Sequence, residues 1–154
     1  MGATQRLAEL GLTLPELAAP VNAFQPFVRH GDLIYTSGQI AIRDGQLVAT
    51  GRVSGDHDLD KGQEAARACA LNVLAQLQAA AGDLDNIERV IKLTVFVASE
   101  PEFTQQPQVA DAASRLIIDV LGPAGAHARS AIGVAALPLD TPVEIEAIAA
   151  VRAS

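Results

Sequence analysis

The sequence predicts an α+β domain in which two helices cover one face of a single mixed β-sheet. Three observations predict it. Apolar residues recur at helical spacing over 59–81 and again over about 107–121, the segment between them alternates at period two, and short β-rich runs with turn chemistry flank the whole. Each helix therefore joins two strands as a crossover, and two crossovers of the usual right-handed sense put both helices on the same side of one sheet.

Residues 4–10 read as a short helix stopped by Gly11, and Leu14-Pro15-Glu16-Leu17 as the start of a second turn before Pro20, so residues 1–20 form a helical extension to a main domain over 21–154. Phe27–Arg29 and Leu33–Thr36 are β-rich runs around His30-Gly31-Asp32, a hairpin pattern. A second hairpin centres on Asp44-Gly45, a pair that supplies the positive φ angles a tight turn demands, with arms at Gln39–Ile42 and Gln46–Ala49. In the long helix Ala66, Ala70, Val73, Leu77 and Ala80 share one stripe, and Gly82 supplies the stop. Glu88–Ala98 alternates, with Ile91, Leu93, Val95 and Val97 on one side and Val90, Lys92, Thr94 and Phe96 on the other. The second helix has Pro107 in its first turn, an apolar stripe of Val109, Ala113, Leu116, Ile117 and Val120, and Gly122 at its end. Ala128–Leu137 and Val143–Val151 follow as strands, and the Pro138–Pro142 loop between them makes a C-terminal hairpin the expected arrangement.

Composition bounds what such a domain does. At 154 residues the chain is one domain, and 11 Lys plus Arg against 18 Asp plus Glu give a net charge of −7 that repels phosphate backbones. Nucleic acid is therefore an unfavoured partner. One cysteine, Cys69, cannot close an internal disulfide, and it lies on the apolar side of its helix, where a thiol acts as a small hydrophobe. No zinc spacing, nucleotide-binding glycine pattern, signal peptide or membrane span is legible, so the expectation is a cytoplasmic protein with no metal or organic cofactor. Aromatic residues make up only 3% of the chain, so Ala, Val, Ile and Leu must build the core. Helices on one face leave the other bare, with Ile132 and Ile145 expected near the surface, and oligomerisation is the natural cover.

Three constellations can carry chemistry. Arg129 opens a strand after the flexible Gly122–Gly125 stretch, and a planar guanidinium there suits bidentate capture of a small carboxylate, although a solvated strand-end arginine fits the same pattern. Glu144 and Glu146 are alternate residues of the last strand, hence on one side, with Ile148 and Ala150 continuing it. A half-desolvated carboxylate there can serve as a general base; charge that keeps an edge strand soluble is the plainer reading. Thr36-Ser37-Gly38-Gln39 breaks an apolar strand and either offers donors to an anion or makes a bulge. Asp56-His57-Asp58, just before the long helix, reads as a solvated cap rather than a metal site.

Together, Ile34–Ile40, Lys92–Val97, Ala128-Arg129-Ser130 and Val143–Ala149, in this order, resemble the Rid family, of YjgF type, long labelled endoribonuclease L-PSP-like. The resemblance runs from about Phe27 to Val151. It implies a chorismate-mutase-like fold, a homotrimer with ligand clefts between protomers, and cofactor-free hydrolysis of reactive enamines and imines such as 2-aminoacrylate to 2-keto acids and ammonia. By resemblance, Arg129 grips the substrate carboxylate, Glu144 orients the attacking water, and Ser37 and Gly38 line the same cleft. Phe27 stands where such deaminases usually carry tyrosine, Ala131 where they often carry cysteine, and Ala110 or Asp111 where asparagine is frequent. These departures leave room for an alternative, a non-catalytic trimer that binds a small carboxylate in a regulatory role. Cleavage of RNA follows from the old label alone.

Overall fold

In the computed structural model, residues 1–20 and 23–153 are described, and the expected domain boundary at residue 21 falls outside them. The elements, in chain order, are α1 (Ala3–Glu9), β1 (Phe27–His30), β2 (Leu33–Thr36), β3 (Gln39–Ile40), β4 (Ile42–Arg43), β5 (Gln46–Leu47), α2 (Leu59–Ala81), β6 (Ile87–Ala98), α3 (Gln106–Leu121), β7 (Ala128–Val134) and β8 (Val143–Val151). The main sheet runs β1-β2-β8-β6-β7, and β3 pairs with β8 in line with β2. All its pairings are antiparallel except β6 with β7, which the α3 crossover makes parallel.

α2 and α3 pack against each other and on one side of this sheet, as their apolar stripes require. Ala66, Ala70, Val73 and Leu77 of α2 and Val109, Ala113, Ile117 and Val120 of α3 are fully buried against Leu93, Val95 and Val97 of β6 and Val143, Ile145, Ala147 and Ala149 of β8. Gly82, at φ +82°, stops α2 where a left-handed residue was required. α1 adds Ala3 and Leu7 to the same core, while Leu14–Leu17 is irregular and not a second helical turn, with Leu12 and Leu14 packed against that core.

Asp44 and Gly45 form the expected tight turn at φ +52° and +78°. Its arms are shorter than the pattern suggested: Ile42–Arg43 pairs with Gln46–Leu47 as a separate ribbon, and Gln39–Ile40 instead joins β8. Asn72 of α2 fixes this division by donating from its Nδ2 to the carbonyls of Ile40 (3.0 Å) and Ile42 (2.9 Å) on either side of Ala41.

Two expectations are corrected in ways that matter for the site. The register of β6 shifts between Ile87 and Arg89 and again between Val90 and Lys92, so Val90 joins the core and Ile91 is exposed, the reverse of simple alternation. The last two strands do not form a hairpin. β6 lies between β7 and β8, because the α3 crossover lays β7 on the outer side of β6, and the 135–142 connection passes the end of β6 to reach β8. β8 is thus a central strand, which removes the reading of its glutamates as edge-strand charges. The other sheet face carries Val28, Tyr35, Phe96, Ile132 and Ile148 beside Lys92, Thr94, Glu144 and Glu146; Ile145 belongs to the buried face, not to this one. Val28, Tyr35 and Ile132 are between 44% and 54% exposed, an apolar surface that none of the described residues covers.

Candidate functional site

The sequence-derived residues fall into two groups on opposite faces of the sheet. Arg129 pairs in register with Leu93, and Leu93 with Ala147, both of which point into the helix-side core. Arg129 thus leaves the outer strand β7 on the helix side, next to α3. Ala131, two residues on, shares that side and is half-buried against the core. Glu144 pairs with Phe96 and Ile40 and points to the open face. Counting three residues along and two strands across, the two positions are separated by roughly 14 Å of backbone at ~3.3 Å per residue and ~4.8 Å per strand.

At the β7 edge, α3 supplies what the sequence pattern did not reveal. Arg129 Nη1 donates to Asp111 Oδ1 at 2.8 Å and to Ser114 Oγ at 3.2 Å, the two acceptors lying one helical turn apart on α3. His127 Nδ1 lies 2.6 Å from the Gly125 carbonyl, which can only accept, so that nitrogen carries the proton. In the neutral ring Nε2 then accepts from the Ser114 hydroxyl at 2.9 Å. The result is a directed chain from Arg129 through Ser114 and His127 to backbone. Both Nη1 hydrogens are used, and among the described residues Nε and Nη2 have no protein partner. That free edge carries two parallel N–H groups, the geometry that grips a carboxylate at both oxygens. The Arg129 side chain is mostly buried and that of Asp111 about twice as exposed, so the pair reaches solvent from a fixed position.

The second group surrounds Glu144. Ser37 donates its N–H to Pro26 O at 2.9 Å and its hydroxyl to Gln25 O at 2.6 Å, which closes the break between β2 and β3. Gln39 Nε2 donates to Ser37 O at 3.1 Å and Gln76 Nε2 to Gln39 Oε1 at 3.5 Å, tying the same turn to α2. Held there, Gly38 lies against the glutamate: a Cβ at position 38 would stand 2.8 Å from the Glu144 carboxyl carbon, so only glycine leaves the carboxylate where it is. Burial, and secondly the charge of Glu146, raise the Glu144 carboxyl from its usual 4.5, the direction that makes a carboxylate a better base. Phe27 precedes this group, paired with Thr36 and packed on the core.

The remaining candidates serve the fold. Cys69 is fully buried and donates to Val143 O at 3.3 Å, and burial pushes its thiol well up. Asp58 accepts from the Ser54 N–H at 2.9 Å and hydroxyl at 2.7 Å, which lowers its carboxyl and marks Asp56–Asp58 as the entry to α2. No helix among the described residues is long and apolar enough to cross a membrane.

Known proteins place this arrangement. The chain is 48% identical to Atu1372 of Agrobacterium tumefaciens, a protein of unknown function whose crystal structure aligns over 97% of this chain and 94% of that one with a TM-score of 0.89. It is 47% identical over 143 residues to Protein TCP17 of Trypanosoma cruzi, covering 92% of this chain and 89% of the relative. E. coli TdcF with bound serine is 30% identical over 90% of this chain and 93% of its own, with a TM-score of 0.62. The family described as Endoribonuclease L-PSP matches residues 16–151, nearly the whole chain. With that span, and with the strand order and helix pair given above, the chain belongs to the Endoribonuclease L-PSP family, of YjgF type.

Proposed function

We propose that this protein hydrolyses reactive enamines and imines of the 2-aminoacrylate type to 2-keto acids and ammonia, without a cofactor, as a homotrimer whose sites form between protomers. The observation that carries the reading is the fixed guanidinium edge of Arg129, an unpartnered carboxylate cradle in a chain of net charge −7. Glu144, with its raised carboxyl, supplies the base. Arg129 holds the substrate carboxylate. Water, directed or deprotonated by Glu144, adds its oxygen to the imine carbon while the nitrogen takes up the proton water gives up; the hydroxyl proton of the resulting carbinolamine then passes to the nitrogen, the C–N bond breaks and ammonia leaves as the keto group forms. Imine hydrolysis is already rapid in water, so positioning and one base suffice for the acceleration required.

Two features support the proposed trimer: the bare face bearing Val28, Tyr35 and Ile132, and the separation of Arg129 from Glu144 within one chain. Ala131 and Phe27, in place of cysteine and tyrosine, favour a second reading in which the same cleft binds a small carboxylate without turnover. A single assay separates them. With 2-iminopropanoate generated in situ, catalytic protein diverts imine from semicarbazide and speeds keto-acid and ammonia release, whereas a binding protein leaves both rates at the uncatalysed level. RNA cleavage lacks support in the charge, and His30 ends β1, His57 precedes α2 and His127 precedes β7.

A further inference from the structure

At the far end of β8 from Glu144, three arginines from three separate elements line one cleft of about 290 Å3: Arg6 of α1, Arg89 of β6 and Arg152 just past β8. None of the three forms an ion pair among the described residues, although Asp85 and Glu88 line the same cleft. The Asp85 carboxylate is engaged by α1, where its Oδ1 accepts the Ala3 N–H at 2.7 Å. Two of the guanidinium groups are held by main-chain carbonyls instead, Arg6 Nη1 by Val120 O at 3.4 Å and Arg152 Nε by Asp85 O at 3.2 Å. A carbonyl fixes their direction and cancels none of their charge. Arg6 also lies against Gly122, at φ +63°, where a Cβ would stand 2.9 Å from its Nη2, so the glycine leaves room for the guanidinium.

We infer that this cleft is a second ligand site and that it takes a small phosphate-bearing anion. Guanidinium forks match phosphate oxygens, and three of them arriving from different elements can each donate to a tetrahedral group, whereas a carboxylate offers two oxygens in one plane. The cleft lies at the lower end of ligand-pocket sizes, roughly 300–1,000 Å3, which suits free phosphate or a phosphorylated metabolite of few carbons. Leu84 and Leu121, both buried, give such a carbon skeleton an apolar wall. A polynucleotide is a poor match for a chain of net charge −7. The site shares no residue with the Arg129 and Glu144 groups, so it stands or falls independently of the imine reaction.

NMR titration of the full-length protein in low-salt buffer with inorganic phosphate, glycerol phosphate and acetate tests this. Saturable shifts are expected at the Nε–H groups of Arg6 and Arg152 and in the main chain over 121–124, with the better of the two phosphates bound at least about tenfold more tightly than acetate. Tighter binding of glycerol phosphate would identify an esterified metabolite as the ligand, and tighter binding of inorganic phosphate the free ion. Arg6→Gln and Arg89→Gln should each weaken phosphate binding about tenfold, the lower end of what one charge-assisted hydrogen bond supplies. Arg89 is exposed and unpaired, so its replacement tests the site even if Arg6→Gln disturbs α1. Arg67→Gln, at an exposed position of α2 outside the cleft, should change the affinity by less than about twofold. Absence of saturable shifts, acetate bound as tightly as the phosphates, or an Arg89→Gln protein of unchanged melting temperature that binds no more weakly than Arg67→Gln would overturn the assignment.

Discussion

The β7 edge and the β8 face hold their functional groups by different means. At the edge, Arg129 is oriented by polar contacts with a neighbouring helix, Asp111 at 2.8 Å and Ser114 at 3.2 Å, and its chemistry depends on a hydrogen-bond network. On the face, Glu144 is positioned by close packing under Gly38 and by partial loss of water. A network fixes direction, which suits an arginine that must present one edge to a ligand. Burial shifts proton affinity, which suits a base. Each half is built for one task, and within one chain the two lie on opposite faces of the sheet.

Removing either reacting group should have the largest effect. Arg129→Ala is expected to lower kcat/KM at least about 100-fold, or about 2.7 kcal/mol, with KM carrying most of it, and Glu144→Gln to lower kcat by about 100-fold or more with KM nearly unchanged. Steady-state kinetics on an in-situ imine source distinguishes them, and a common KM effect would break the division of labour. Gly38→Ala comes next. The added methyl would meet the Glu144 carboxyl carbon at 2.8 Å and its Cγ at 3.0 Å, so that side chain must shift, and kcat should fall about tenfold while unfolding free energy changes by less than about 1 kcal/mol. A large loss of stability with kcat intact would show that Gly38 serves the fold alone.

The smallest effect is on pH dependence. Glu144 works as a base when ionised, and its carboxyl is raised, so activity should fall as pH drops through a midpoint above the usual 4.5. Glu146→Gln removes the lesser of the two causes, so the midpoint of the acid limb should move down without returning the whole way, since burial remains. An upward shift in the pH–kcat profile would contradict the assignment.

What the sequence made legible was local. The stripe from Ala66 to Leu77 ended by a glycine, the Asp44-Gly45 turn, and the period-two placing of Glu144 with Glu146 all depend on neighbours within a few residues, and each appears as read. Three features required partners far along the chain. β7 pairs with β6 instead of β8 because a whole helix decides where it lands. The shifts in β6 turn Val90 inward through its pairing with β8. Asp111 reaches Arg129 across 18 residues; the resemblance marks position 110 or 111 as a departure from asparagine, but not its pairing with Arg129. Arg129 and Glu144 were legible as residues, but their opposite faces were not, since an assumed hairpin between their strands hid the intervening β6.

The central claim is that these two halves meet only across a boundary between chains. Mixing inactive Arg129→Ala with inactive Glu144→Ala under conditions that exchange subunits tests it most directly. Some interfaces of the mixed trimers would then hold an intact arginine from one chain and an intact glutamate from the next, so part of the imine-hydrolysing activity should return and should grow with the extent of exchange measured by native mass spectrometry. No recovery in fully exchanged, folded trimers would contradict the shared interfacial site.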